Sequence, residues 1–173
     1  MMFISLGIGA SIAVVLITIV SYFTGGTVTT PATQSSLIGK SVPGFTLKDL
    51  KGATITSPWS TGRPTLLVFV ASWCDPCRKE LPGLAAYLAH HSLGNLAVLG
   101  VNENDDPASA AALLRSANVT FPVVPDHGTI AMGDFGFSAL PDSVLVSSTG
   151  KVIAATTGVT SNAQLAQYLA LAH

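Results

Sequence analysis

The chain has 173 residues, enough for a single ordinary core, with a formal net charge of −1 and no basic cluster, which excludes a nucleic-acid partner. Only 10% of its residues are charged, against about 25% in typical soluble domains, and no charged side chain lies between Met1 and Gly39. That deficit is a membrane signal concentrated at the N-terminus.

From Phe3 to Phe23 the chain is Ile, Leu, Val, Gly, Ala and a few small hydroxyls. As a helix this length spans roughly 30 Å, the hydrocarbon thickness of a bilayer, with Tyr22 and Phe23 near one interface. A basic n-region and an Ala-x-Ala site are both missing, so residues 1–23 are expected to be an uncleaved transmembrane signal anchor; no cysteine follows, which excludes lipoprotein processing. With no Lys or Arg on either flank, the simplest arrangement is a short tail inside and the domain outside, at the extracytoplasmic face of the cell membrane. Residues 24–36, with Gly25, Gly26, five Thr and Pro31, have no apolar periodicity and read as a flexible tether. Residues 37–173 are left for one globular domain.

Within it, Phe45–Leu47 and Ala53–Thr56 read as two short strands joined by the polar turn Asp49–Gly52, and 58–64 as a loop. Leu66–Ala71 is a continuous apolar run of buried-strand length. Arg78–His90 has helical spacing, with Leu81, Leu84, Ala85 and Leu88 on one stripe, and Pro82 inside it is expected to kink the helix. Leu96–Val101 reads as a strand, Asp106–Asn118 as a helix, Phe121–Val124 as a short strand, and Gly128–Phe135 as a turn of helix. Ser143–Ser147 and Val152–Thr157 form a hairpin, and Ser161–Leu171 a last helix capped by Thr160 or Ser161. Strands and helices alternate first and a hairpin comes last, giving an α/β domain with a mixed sheet covered by helices.

The only two cysteines, Cys74 and Cys77, sit three apart where the buried strand turns into the helix. Cys74 is expected at an exposed helix N-terminus, where free backbone N–H groups and the dipole favour a thiolate, and Cys77 one turn in, at a separation a disulfide can span. One can attack and the other resolve. A purely structural staple is disfavoured, because a bridge closing so short a loop restricts the unfolded chain by only about 2 kcal/mol. No metal site is expected: a zinc site needs four ligands, and His90, His91, His127 and His173 show no pair at ligand spacing.

The segments Val42–Leu47, Phe69–Glu80 with Trp73-Cys74-Asp75-Pro76-Cys77 at its centre, Phe121–Val124, Leu140-Pro141 and Gly150-Lys151-Val152 together resemble the TlpA/ResA/CcmG branch of thioredoxin-like proteins, from about Ser41 to the C-terminus. The resemblance implies a thioredoxin fold with an added N-terminal β-hairpin, preceded by one transmembrane helix. It also implies an extracytoplasmic thiol–disulfide oxidoreductase, mostly reducing, of the kind that serves cytochrome c maturation or copper-site assembly. No cofactor is implied beyond the Cys74–Cys77 redox disulfide. The implied partners are oxidised protein thiols, such as apocytochrome c or copper-site proteins, and a transmembrane thiol protein that donates electrons.

The resemblance assigns roles. Cys74 is the nucleophile and Cys77 the resolving thiol; Pro76 fixes the first helical turn; Trp73 offers a flat contact surface. Pro141 matches the cis-proline facing the dithiol, and the backbone beside it at Leu140 is expected to pair with substrate in strand fashion. Glu80, one turn after Cys77, matches an acidic group that exchanges protons with Cys77, at a site where thioredoxin proper uses an Asp at the position of Val68. Asp142 departs from the pattern, which usually has Thr after the cis-proline, and is assigned to substrate binding. Asp75 and Asp142 both oppose a thiolate and predict a reducing couple. The segment 102–106 is expected to be a solvated acidic loop ending in a helix cap. A peroxiredoxin needs Thr or Ser where this chain has Ala71, and copper chaperones of related fold use a cysteine spacing one longer, so both are disfavoured. The alternatives kept open are an extracytoplasmic disulfide-forming oxidant using the same residues and, ranked below it, a metal-binding or copper-chaperone module.

Overall fold

The computed structural model describes residues 36–172. The expected anchor, most of the tether and His173 lie outside the described residues, among which no helix is long and apolar enough to cross a membrane.

A five-stranded sheet forms the centre, in the order β5-β4-β3-β6-β7. Its strands are β3 (Thr65–Val70), β4 (Ala97–Glu103), β5 (Val123–Asp126), β6 (Asp142–Val146) and β7 (Val152–Thr157). β3, β4 and β5 run parallel, β6 is antiparallel to β3 and β7 antiparallel to β6, so the sheet is mixed as expected. β3 is buried at every residue, as a central strand covered on both faces must be, and this is why its sequence reads as an unbroken apolar run. β1 (Thr46–Lys48) and β2 (Thr54–Thr56) pair as a separate antiparallel hairpin. Its turn is held by Asp49, whose Oδ1 accepts from Lys51 N and Ala53 N at 2.9 and 2.8 Å.

Three helices contribute to the core on one face of the sheet: α1 (Asp75–His90), α2 (Pro107–Ser116) and α3 (Asn162–Leu171). There Leu81, Leu84 and Leu88 of α1, Leu113 of α2 and Leu165 of α3 pack on Leu66, Val68 and Leu145. The other face carries Leu67, Phe69, Leu99 and Val144, covered by Trp59, Ile130, Phe135 and Phe137. Phe69 meets Phe135 and Phe137 edge-on at 5.3 and 5.0 Å.

Several boundaries differ from the sequence expectation for identifiable reasons. The segment expected to be a loop holds one turn of 3₁₀ helix, Pro58–Thr61, because Trp59 is drawn into the core against Phe45. β4 extends through Asn102 and Glu103, since Asn102 is buried and hydrogen-bonded. β5 begins two residues late and contains Pro125, which an edge strand tolerates. Gly100 lets β5 close on β4: a Cβ there would lie 2.7 Å from Val123 Cγ2. The Gly128–Phe135 turn is a π-helical segment, Thr129–Asp134. Pro82 lies inside the continuous α1, on its exposed face, where water can satisfy the carbonyl that loses its partner. Ser161, not Thr160, caps α3, in a reciprocal box with Gln164.

Candidate active site

The apolar strand β3 delivers the chain to the top of the sheet, and α1 starts at Asp75 with Cys74 as its N-cap. Cys74 and Cys77 are joined in a disulfide. The Sγ of Cys74 accepts a hydrogen bond from Cys77 N at 3.2 Å, so a sulfur takes the place of the oxygen that usually caps a helix. Cys74 was expected to be exposed, yet it is only 4% exposed and Cys77 0%. The bond to Cys77 and the capping contact fold the Cys74 sulfur back over the helix end. Asp75, expected to oppose a thiolate, is ion-paired with Arg78, which also donates to Ser72 O; both side chains are exposed.

Leu140-Pro141 is cis, as expected. Pro141 is buried and its carbonyl accepts from Gly158 N at 2.8 Å, while Leu140 is half-buried. Trp73 is 56% exposed, and its indole Nε1 donates to the carbonyls of Glu103 and Asn104 at 3.2 and 3.1 Å. Trp73, Met132, Phe137 and Leu140 line a cleft of ≈190 Å³. Pro76 is exposed in the first turn of α1.

Glu80 is half-buried on α1, and its Oε1 accepts from Thr160 N at 2.7 Å; Thr160 Oγ1 in turn donates to Ser143 Oγ at 3.0 Å. Burial raises the Glu80 carboxyl above its ordinary range, and the Thr160 hydrogen bonds offset part of the rise. Asp142, expected in substrate binding, is 2% exposed: it is the first residue of β6, opposite Phe69 and Thr157. Burial pushes it up to about 6, against hydrogen bonds from Thr157 and Gly158, and the nearby charge of Glu80 raises it further. Its Oδ1 is buried without a hydrogen-bond partner.

The segment 102–106 is not merely solvated. Asp105 accepts from Ser72 N and Ser72 Oγ, both at 2.6 Å, and from Asn102 Nδ2 at 2.9 Å, which pins the backbone just before Trp73. Burial would raise Asp105, but these bonds outweigh it and hold it below the usual carboxylate range. Asp106 does cap α2, accepting from Ser109 N at 2.9 Å. From sequence, Glu103 and Asp105 stand only in a solvated loop, Thr160 only as a possible helix cap, and Asp126 has no role; the polar Asn102 directly after an apolar run is the one further hint.

Comparison with known proteins places this geometry. The thiol-disulfide oxidoreductase ResA of Bacillus subtilis (strain 168) is 29% identical over 133 residues, 77% of this chain and 74% of ResA. The crystal structure of StoA from Bacillus subtilis is 26% identical, with a TM-score of 0.64, covering 73% of this chain and 96% of StoA. A thiol:disulfide interchange protein of the thioredoxin family from Chlorobium tepidum TLS shares the fold at 20% identity, with a TM-score of 0.67 over 78% of this chain and 96% of its own. The family model described as the AhpC/TSA family matches residues 38–155, from before the hairpin through the dithiol and the cis-proline into β7, and the chain belongs to that family.

Proposed function

We propose that this thiol–disulfide oxidoreductase is a protein-disulfide reductase, anchored in the cell membrane by residues 1–23 with its domain on the extracytoplasmic side. Its substrates on this reading are oxidised cysteine pairs of the kind found in apocytochrome haem motifs or copper-site proteins. The observation that carries the direction is the presence of two shielded carboxyls, Glu80 and Asp142, on elements that flank the disulfide. Negative charge there disfavours a thiolate, and a less stable thiolate makes the dithiol the better reductant.

In the reductive step the Cys74 thiolate attacks one sulfur of a substrate disulfide, and the other substrate sulfur leaves as a thiolate. Cys77 then gives its proton to the Glu80 carboxylate, one helical turn away on α1, and attacks Cys74 Sγ. The second substrate thiolate leaves, two electrons have passed to the substrate, and the Cys74–Cys77 disulfide of this structure remains. A dithiol donor must then return two electrons, which for a domain outside the cell means a transmembrane thiol protein. Trp73 and the Leu140 backbone flank the approach to Cys74, where an extended substrate segment would lie.

One observation favours the opposite poise. The Cys77 N–H aimed at Cys74 Sγ stabilises a thiolate, as strong oxidants require. The reduction potential separates the two: full-length chain equilibrated in graded thiol–disulfide buffers should give about −270 mV or lower for a reductase, whereas a value near about −120 mV makes it an oxidant.

A further inference from the structure

Glu103 and Asp126 are register partners in the parallel strands β4 and β5, so two acidic side chains stand next to each other on one face of the sheet. Two carboxylates so placed repel. Asp126 is 4% exposed and fully committed: its oxygens accept backbone N–H groups from Thr129 at 3.0 Å, Ile130 at 3.0 and 3.1 Å and Ala131 at 2.8 Å. Those donors hold it ionised. Glu103 differs, because Oε1 accepts from Asn104 Nδ2 at 2.5 Å while Oε2 is buried without a partner. A proton on Oε2 resolves both anomalies at once, turning the orphan acceptor into a donor toward Asp126 and removing the repulsion. Burial, a hydrogen bond with Asp126 and the Asp126 charge push Glu103 up to about 7, against the Gly128 N–H and the Asn104 amide, in keeping with that arrangement.

The other titratable groups near the pair are Asp134, Lys40 and His127, with Asp105 and Asp106 following Glu103 in the chain. Asp134, at the end of the π-helical segment, feels both Asp126 and Lys40, and its carbonyl accepts from Lys40 Nζ. His127 is exposed beside Asp126. On the β4 side Asp105 is spent on Ser72 and Asn102, and Asp106 on capping α2.

The pair joins the two sides of the cleft lined by Trp73 and Leu140, the sequence neighbours of Cys74 and Pro141. On one side, the backbone carbonyls of Glu103 and Asn104 hold the Trp73 indole, with Asn104 at φ 42°. On the other, Asp126 fixes the first turn of the segment that carries Met132, whose side chain is 59% exposed over the same cleft.

We infer that Glu103 and Asp126 share one proton, and that this proton sets the spacing between the Trp73 and Met132 walls, making Glu103 a positioning residue for disulfide exchange. When it leaves, two carboxylates face each other across adjacent strands, the Glu103–Asn104 backbone shifts, and the Trp73 wall moves with it.

The test is an NMR titration of the full-length oxidised chain that follows the Glu103 carboxyl carbon and the Trp73 indole N–H together. The expected result is one transition near pH 7 seen by both, with the Trp73 transition absent in Glu103→Gln, whose amide keeps a neutral donor toward Asp126. Titration of Glu103 in the ordinary carboxylate range, or a Trp73 signal that stays still while Glu103 titrates, overturns the inference; both are read on the wild-type chain even if the variant does not fold. The catalytic consequence rests on the exchange reading above. KM for a disulfide-bonded peptide should rise about three-fold from about pH 6 to about pH 8.5 in the wild type and lose that dependence in Glu103→Gln. Failure of the exchange reading shows as no turnover at any pH, whereas failure of the shared proton shows in the titration.

Discussion

The backbone N–H of Cys77 donates to the Sγ of Cys74 at 3.2 Å, so the sulfur of the first cysteine caps the helix that carries the second. The attacking and resolving groups are thereby distinguished by position: one sulfur sits at the helix end, the other is wholly enclosed. Cys77→Ser is expected to accumulate a mixed disulfide between Cys74 and substrate, and Cys74→Ser to lose exchange altogether. Mass spectrometry of the trapped adduct checks the order, and an adduct on Cys77 in Cys74→Ser would reverse it.

Glu80→Gln should slow resolution of that mixed disulfide by about 100-fold, the scale of a lost general base. Burial raises Glu80, and a base acts only above its pKa, so the wild-type rate should fall as pH drops through that value. Stopped-flow rates across pH test this: the variant lacks the limb, and an unchanged profile removes Glu80 from the proton transfer.

Stability should depend on pH in two opposing ways. Asp142 and Glu103 have raised values, so the folded chain holds protons that the unfolded chain releases earlier; their stabilising contribution is full below about pH 4 and is lost as pH rises through about 6 and about 7. Asp105 and Asp126 are lowered, so their contribution is present above the ordinary carboxylate pKa and is lost as pH falls. Asp142→Asn removes the buried charge and should stabilise the fold by about 1–3 kcal/mol at pH 8, with little effect near pH 4. Urea midpoints at the two pH values read this directly, and equal shifts at both would show that charge is not the cause.

Asp105→Ala removes both contacts to Ser72 and one to Asn102, and should cost about 1–3 kcal/mol while slowing exchange through the unpinned Trp73-Cys74 backbone. A truly solvated loop residue would give neither effect.

Gly100→Ala forces a methyl against Val123 and Phe121 and should destabilise by about 1–3 kcal/mol without altering the reduction potential, since the clash lies between β4 and β5. Denaturant unfolding and redox equilibration together separate packing from chemistry.

Much of the domain is legible in the chain because its signals are local. The unbroken apolar run before Cys74, the helical stripe from Leu81 to Leu88, the spacing of the cysteines and the cap of α2 each depend on neighbours a few residues away. Periodicity and capping chemistry encode such features directly. The cis bond at Leu140-Pro141 was visible only through resemblance, since nothing local marks it.

What the tertiary structure alone decided is the condition of the acidic residues. Asp142, Glu103 and Asp105 read in sequence as substrate contact or solvated loop, the ordinary fate of carboxylates. Their actual environments come from register: Asp142 opposite Phe69, Glu103 beside Asp126, Asp105 beneath Ser72 thirty-three residues away. Strand register is set by long-range packing of both sheet faces, and desolvation exists only once those faces close. Sequence by itself therefore determined which sulfurs react, and only the folded sheet decided where the protons around them reside.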